Sequence, residues 1–296
     1  MKIYVAGSLN MDLVIRAPYM PENGVTISGE GFLTNPGGKG ANQAAAVGKL
    51  GGSVCMVGCV GDAFGNELRA ALQGYGVDVT FVERTPGVSS GIAVIVVVDG
   101  DNRIILDAGA NARVSRELID RAFASAEAGD YLVTQLEIDR DITAYALRRA
   151  REKGMITLLN PTPAVELESE IFSNCDYFVV NQSEAEFYTG IYPEDEASAR
   201  RCARTLMERG VQNVLITLGA AGSVCISGGS YYRAESIKVQ AVDTTAAGDT
   251  YVGAFVTRLS EGADIEAAMC FASKAAAITV TRMGAQQSIP MRKEVE

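Results

Sequence analysis

The chain has 296 residues, 48% of them hydrophobic and 21% charged, an ordinary globular composition with room for one large α/β domain or two smaller ones. A formal net charge of -10 and the lack of any Lys/Arg run exclude a nucleic-acid-binding surface and point to a small-molecule partner. The absence of histidine excludes Ser-His-Asp and Cys-His catalysis, leaving carboxylates, lysines, amides and backbone groups for any chemistry.

The six cysteines include no C-x-x-C pair, so they read as buried, reduced thiols and not as a zinc site. The opening Met-Lys-Ile-Tyr-Val-Ala-Gly-Ser lacks the long apolar segment of a signal peptide, and no run of about eighteen apolar residues occurs. A soluble, cytoplasmic protein without a membrane partner is therefore expected.

Residues 3–7 form a short apolar strand that ends in Ser8-Leu-Asn-Met-Asp12. Asn10 and Asp12, two apart, face the same way on an extended segment and offer paired acceptors to a polyhydroxylated ligand, although the same residues suit a plain turn. Residues 13–16 and 25–34 alternate weakly around Pro18, Pro21, Asn23 and Gly24, and read as exposed strands of an accessory sheet. Asn35-Pro-Gly-Gly-Lys-Gly-Ala-Asn42 then leads into a helix expected over 43–50. Its glycines permit close backbone approach to a ligand, but it matches neither the P-loop nor the dinucleotide fingerprint.

A strand over 53–60, a helix over 63–75 and a strand over 79–84 bring in the alternation of a mostly parallel sheet. Residues 91–98 and 103–106 flank Asp99-Gly-Asp-Asn102, a hairpin signal that interrupts this rhythm. The hairpin is expected to join the strands between 13 and 34 in one lid sheet. With Ile92, Val94 and Val96 on one side, such a sheet invites a second copy, so a homodimer through the lid is expected.

The alternation resumes with helix 115–127, strand 131–136, helix 141–153 and strand 156–160. Glu137 stands at a strand's carboxyl end, either as a ligand-facing group or as a solvated loop carboxylate. Asn181-Gln-Ser-Glu184 follows strand 177–180. It can form a capping box or hold a hydrated metal near phosphates, and the residues alone favour the cap. After an amphipathic helix over 196–209 and a strand over 214–217 comes Leu218-Gly-Ala-Ala-Gly222, a small-residue turn suited to a phosphate or a flat ligand. Residues 224–226 and 231–239 read as antiparallel edge strands. Asp243-Thr-Thr-Ala-Ala-Gly-Asp249 opens an apolar helix whose free N–H groups and dipole attract an anion. Asp249 would repel a bound phosphate unless it serves a hydroxyl beside it, so it reads either as the base of a phosphoryl transfer or as a cap. An Ala-rich helix over 265–277 and the segment 279–288 complete the chain.

Gly7-Ser-Leu-Asn-Met-Asp12, Pro36-Gly-Gly-Lys-Gly-Ala-Asn-Gln43, Gln135-Leu-Glu137, Asn181 with Glu184, Thr217-Leu-Gly219 and Asp243-Thr-Thr-Ala-Ala-Gly-Asp249 together resemble the ribokinase family of carbohydrate kinases over essentially the whole chain. The resemblance implies an α/β fold, a three-layer α/β/α sandwich with a small β-sheet lid. Its core would span 1–12, 35–88 and 108–296, and its lid 13–34 and 89–107, the lid also forming the dimer contact. It implies in-line transfer of the ATP γ-phosphoryl group to a sugar hydroxyl, O5 of D-ribose, with Asp249 as catalytic base. A kinase for deoxyribose, a nucleoside or another sugar remains open, as does a silent sugar or nucleotide sensor.

Position by position, the resemblance implies that Asn10, Asp12, Gly38, Lys39, Gly40, Ala41, Asn42, Glu137 and Asp249 hold the sugar. Asn181, Thr217, Leu218, Gly219, Ala220, Ala221, Gly222, Gly248 and Asp249 would hold ATP, with Glu184 organising Mg2+ through water. The amides of Ala246, Ala247, Gly248 and Asp249 would form an anion hole. A K+ ion would lie beside it at Asp243, Thr245, Thr279, Arg282, Gly284 and Ser288. Many members carry Gly where this chain has Ala246, so the hole is expected to tolerate a Cβ, at no cost with a negative φ.

Overall fold

In the computed structural model, which describes residues 1–296, the strands are β1 (Ile3–Ala6), β2 (Asn10–Arg16), β3 (Glu30–Gly37), β4 (Val54–Val60), β5 (Asp78–Arg84), β6 (Gly91–Val98), β7 (Asp101–Asp107), β8 (Tyr131–Thr134), β9 (Ile156–Leu159), β10 (Tyr177–Asn181), β11 (Asn213–Thr217), β12 (Ser223–Ser227) and β13 (Ser230–Ala234). Nine of them form one sheet in the order β13-β12-β11-β10-β9-β8-β1-β4-β5, antiparallel at β12 and β13 and parallel elsewhere.

The helices are α1 (Lys39–Lys49), α2 (Gly65–Gly74), α3 (Arg116–Ala122), α4 (Arg140–Glu152), α5 (Ser169–Ser173), α6 (Gln182–Thr189), α7 (Glu196–Glu208), α8 (Ala247–Ser260), α9 (Ile265–Thr279) and α10 (Arg292–Val295). Continuous apolar runs such as β1 and β4 are the sequence of strands covered on both faces. Alternate residues of β1 accordingly enter two cores. Ile3 and Val5 pack with residues of α1, α2, α8 and α9, and Tyr4 and Ala6 with residues of α3 to α7. This is the expected three-layer α/β/α sandwich. None of its helices is long and apolar enough to cross a membrane.

The parallel strands all point their carboxyl ends to one edge, and the segments leaving β1, β8, β9, β10 and β11 gather there. The edge pair differs from expectation in extent, because β13 ends at Ala234, opposite the first residue of β12 at Ser223. With no partner left, 235–239 is not strand. Five cysteines are buried, and burial pushes the Cys55 thiol up to about 12. Cys270 is exposed, against expectation, because it lies on the solvent side of α9.

The second sheet has the order β3-β2-β6-β7. Asp99 and Gly100 join β6 to β7 with φ of 53° and 85°, the two positive values of a type I′ turn. The expected strand over 25–34 begins only at Glu30, which pairs with Arg16, the last residue of β2, so 25–29 has no ladder to join. Asn10 and Asp12 lie on β2 and share one face. By register, Leu13, Val94 and Ile105 share the other face, and Ile105 is 71% exposed.

Candidate active site

Helix α1 begins at Lys39, four residues before the expected 43, although its N-cap residue Gly38 offers no side chain. Distant groups satisfy the orphan amides of its first turn instead. Glu137 Oε2 accepts from the Lys39 amide at 3.0 Å, Ser8 Oγ from the Gly40 amide at 3.3 Å, and the Ser8 carbonyl from the Ala41 amide at 2.9 Å. Ser8 Oγ in turn donates to Glu137 Oε2 at 2.6 Å. Gly38 has φ 89°, and a Cβ there would lie 2.7 Å from the Asn10 amide nitrogen, so only glycine lets the turn sit this close to the β1–β2 junction. Gly40 and Ala41 are buried, and both give their amides to Ser8.

Asp249, 8% exposed, stands in the first turn of α8. Its Oδ2 accepts from Asn42 Nδ2 at 3.0 Å and its Oδ1 from Gln43 Nε2 at 3.0 Å. Asn42 Oδ1 is buried without a partner and is left to accept from a ligand. The amides of Ala246, Gly248 and Asp249 make no hydrogen bond within the protein, whereas that of Ala247 is given to the Thr244 carbonyl at 3.2 Å. Three donors therefore remain at the positive end of α8.

Ala246 does not take the negative φ at which its Cβ would cost nothing. It takes φ 59° and ψ 9°, the left-handed conformation of the α8 N-cap. A Cβ is strained there, and the surrounding turn holds it in place. Ala246→Gly is expected to raise stability by on the order of 1 kcal/mol, measured by denaturant unfolding, because the relief exceeds glycine's added chain entropy. No gain would mean that the turn relaxes around the Cβ at no cost.

A cleft of about 210 Å3 opens between the α8 turn and the strand ends, lined among others by Lys39, Asn160, Thr162, Asn181, Glu184, Thr217 and Asp249. Asn181 and Glu184 form the capping box read from their spacing, with the Glu184 amide giving to Asn181 Oδ1 at 2.8 Å and the Asn181 amide to Glu184 Oε2 at 2.9 Å. Glu184 Oε1 accepts from the Thr162 hydroxyl. Thr217 reaches the cleft, while the turn behind it exposes Gly219, Ala220 and Ala221 and buries Gly222. Leu218 there is half-buried.

Across the site, Asn111 orients Asn10. It accepts from the Leu9 amide at 2.9 Å and donates to Asn10 Oδ1 at 2.7 Å, so the Asn10 amide keeps its N–H groups for a ligand. Burial, then the carboxylates of Glu137 and Asp249, push the Asp12 carboxyl up to about 7.

Of the residues beside the α8 turn, Asp243 is bound tightly by its own loop. Oδ1 accepts from the Thr245 amide at 2.9 Å and the Thr245 hydroxyl at 2.6 Å, and Oδ2 from the Gly284 amide at 2.9 Å. Burial works against its charge, yet these donors outweigh it and hold the carboxyl below its ordinary range. The Arg282 side chain turns away to Glu294 at 2.7 Å, Thr279 packs its hydroxyl 3.1 Å from that of Thr250, and Ser288 donates to the Ala285 carbonyl at 2.7 Å. Ser8, Gln43 and Gln135 stand within the quoted motifs without an assigned role, whereas Asn111, Asn160 and Thr162 lie outside them and carry no signal in their residue types.

Free amides at a helix start suit phosphate oxygens, and a buried carboxylate beside them suits the hydroxyl that attacks phosphorus. With an α/β sheet placing both at its carboxyl edge, fold and site define a small-molecule kinase. Residues 1–292 match the model of the pfkB family carbohydrate kinases, and the chain belongs to that family. It is 39% identical to a ribokinase of Haemophilus influenzae, covering 98% of this chain and 95% of that one. It is 37% identical to a deoxyribokinase of Salmonella typhi, covering 98% and 96%. Among solved structures, the ribokinase of Arabidopsis thaliana complexed with ribose and ATP superposes with a TM-score of 0.91 at 31% identity, covering 99% of this chain and 96% of that one.

Proposed function

We propose that this chain transfers the γ-phosphoryl group of ATP to O5 of D-ribose, with Asp249 as base. The observation that carries the reading is the pairing of a clamped, buried Asp249 with the unbonded amides of Gly248 and Asp249 in the same helical turn. An alcohol is far too weak an acid to lose its proton to a carboxylate beforehand, so Asp249 orients the hydroxyl and takes its proton late in the transfer. The sugar lies under the lid sheet against Asn10, Asp12, Gly38, Lys39, Asn42 and Glu137. ATP lies along Asn181, Thr217 to Gly222 and Gly248. The Lys39 side chain forms no salt bridge and borders the same cleft. The nucleotide reading is supported by the Arabidopsis relative, and the deoxyribokinase relative keeps 2-deoxyribose as a second acceptor.

Glu184 fits a role at the nucleotide's divalent cation. Its carboxylate borders the cleft and is already fixed by Thr162 and Asn181, so it suits contact with Mg2+ through water. When bound, that ion neutralises charge on the phosphates. The loop that Asp243 and Gly284 tie together fits a K+ ion in part. Asp243, Thr245 and the backbone around Gly284 can supply oxygens, whereas Arg282 can offer only its carbonyl. Exposed apolar side chains on the outer lid face support a homodimer through the lid, and the cytoplasm is the proposed compartment.

The test is ADP formation with ATP, Mg2+ and D-ribose, repeated with 2-deoxyribose and with Na+ in place of K+. Ribose turnover raised by K+ is expected, and a strong preference for 2-deoxyribose would overturn the acceptor. The raised Asp12 carboxyl adds a pH signature. Below about 7 it is protonated and loses its charge toward the sugar, so the KM for ribose is expected to rise by up to about tenfold per pH unit. Asp12→Asn should show a high KM that no longer varies over that range.

A further inference from the structure

Gln43 is completely buried on α1, and every polar atom of its side chain is bonded to another side chain. Its Nε2 gives one hydrogen to Asp249 Oδ1 at 3.0 Å and the other to Asn160 Oδ1 at 3.1 Å. Its Oε1 accepts from Gln135 Nε2 at 2.6 Å. The opposite amide orientation would set Oε1 against a carboxylate oxygen and the Asn160 carbonyl oxygen, so the neighbours determine which way the amide faces. Asn160 is anchored in turn, donating to the Val179 carbonyl at 3.0 Å and to Thr162 Oγ1 at 3.1 Å, and Thr162 donates to Glu184.

We infer that Gln43 is the positioning residue of the base. It fixes the rotation of the Asp249 carboxylate and ties it, through Asn160 and Thr162, to Glu184 on the far side of the cleft. This role rests on the function proposed above. A buried carboxylate held by a single donor can turn about its Cβ–Cγ bond. Asn42 and Gln43 hold one oxygen each, so the face offered to the sugar hydroxyl is set before the sugar arrives. A glutamine suits the task because it donates without charge. A lysine or arginine here would pair with Asp249 and quench it as an acceptor, and a carboxylate would repel it. Asp249 is the charged group in contact with the amide; Lys39, one turn earlier on α1, borders the same cleft, and Asp12 and Glu137 lie within electrostatic reach of one another across the site.

The test compares Gln43→Glu and Gln43→Met with the wild type, using whichever pentose the wild type turns over. Thermal unfolding and calorimetric sugar binding are recorded alongside. Kcat is read at saturating sugar, which removes the effect of Asp12 on KM. Gln43→Met is expected to lose about ten- to a hundredfold in kcat with sugar affinity nearly unchanged, the cost of one hydrogen bond to a charged group. Gln43→Glu places a second carboxyl against Asp249, which raises its pKa. It is expected to be nearly inactive above pH 8 and to recover at least tenfold as acid protonates Glu and restores a donor, while wild-type kcat does not rise.

A Gln43→Glu profile parallel to the wild type, at full or reduced activity, would overturn the role, as would equal losses in kcat and sugar affinity. If the unfolding temperature of Gln43→Met collapses, the profile of the nearly isosteric Gln43→Glu decides. Wild-type protein silent with every pentose would instead sink the proposed function and this role with it.

Discussion

Replacing Asp249 by Asn is expected to lower kcat by about a hundred- to ten-thousandfold while the KM for the sugar stays within about threefold. The base is lost, and so is part of its holding frame. Asp249 accepts one hydrogen bond at each oxygen, from Asn42 and from Gln43, whereas the variant has a single oxygen. One of the two contacts becomes N–H against N–H unless Asn42, whose Oδ1 has no partner, turns its amide over. Asp249→Ala removes the base without that repulsion, so comparing the variants separates the two effects. A loss shared by both measures proton acceptance, and any excess in Asp249→Asn measures misorientation. Steady-state assays with calorimetric sugar binding check this, and near-normal turnover in Asp249→Ala would remove Asp249 from the role.

Replacing Gly253 by Val is expected to damage stability and turnover together from outside the cleft. Gly253 lies one turn beyond Asp249 on α8, where α1 crosses. A Cβ there would stand 2.5 Å from Ala46 Cβ and 2.9 Å from the Gln43 carbonyl oxygen. Val brings two further methyls into this contact, and backbone cannot yield as a side chain would. The expected cost is about 2–4 kcal/mol, read as a fall in Tm of roughly 5–10 °C. Because Asn42 and Gln43 ride on α1, pushing that helix away also pulls both donors from Asp249. Kcat should fall with stability, and a variant destabilised yet fully active at low temperature would show that the frame survives the shift.

Much of this architecture is local and therefore legible. The apolar runs at Ile3–Ala6 and Val54–Val60, the Asp99-Gly100 turn and the Asn181/Glu184 box each follow from residue spacing, and each appears in the structure. What failed was decided by partners far along the chain. Helix α1 starts at Lys39 because Ser8 and Glu137 take its first amides, and neither is visible from the stretch 35–43. Strand β3 waits for Glu30, and β13 ends at Ala234, because their neighbouring strands end there.

The chemistry divides in the same way. Residue types alone determined that this is an acidic α/β protein without histidine, carrying a carboxylate at a small-residue helix start. Those properties depend on composition and on periods of two or three to four residues. Only the tertiary structure decided that Ala246 takes a left-handed conformation, that Gly40 and Ala41 give their amides away, and that Gln43 meets an aspartate 206 positions further on. Such contacts come from two helices crossing at Gly253, and a crossing leaves no period in the sequence.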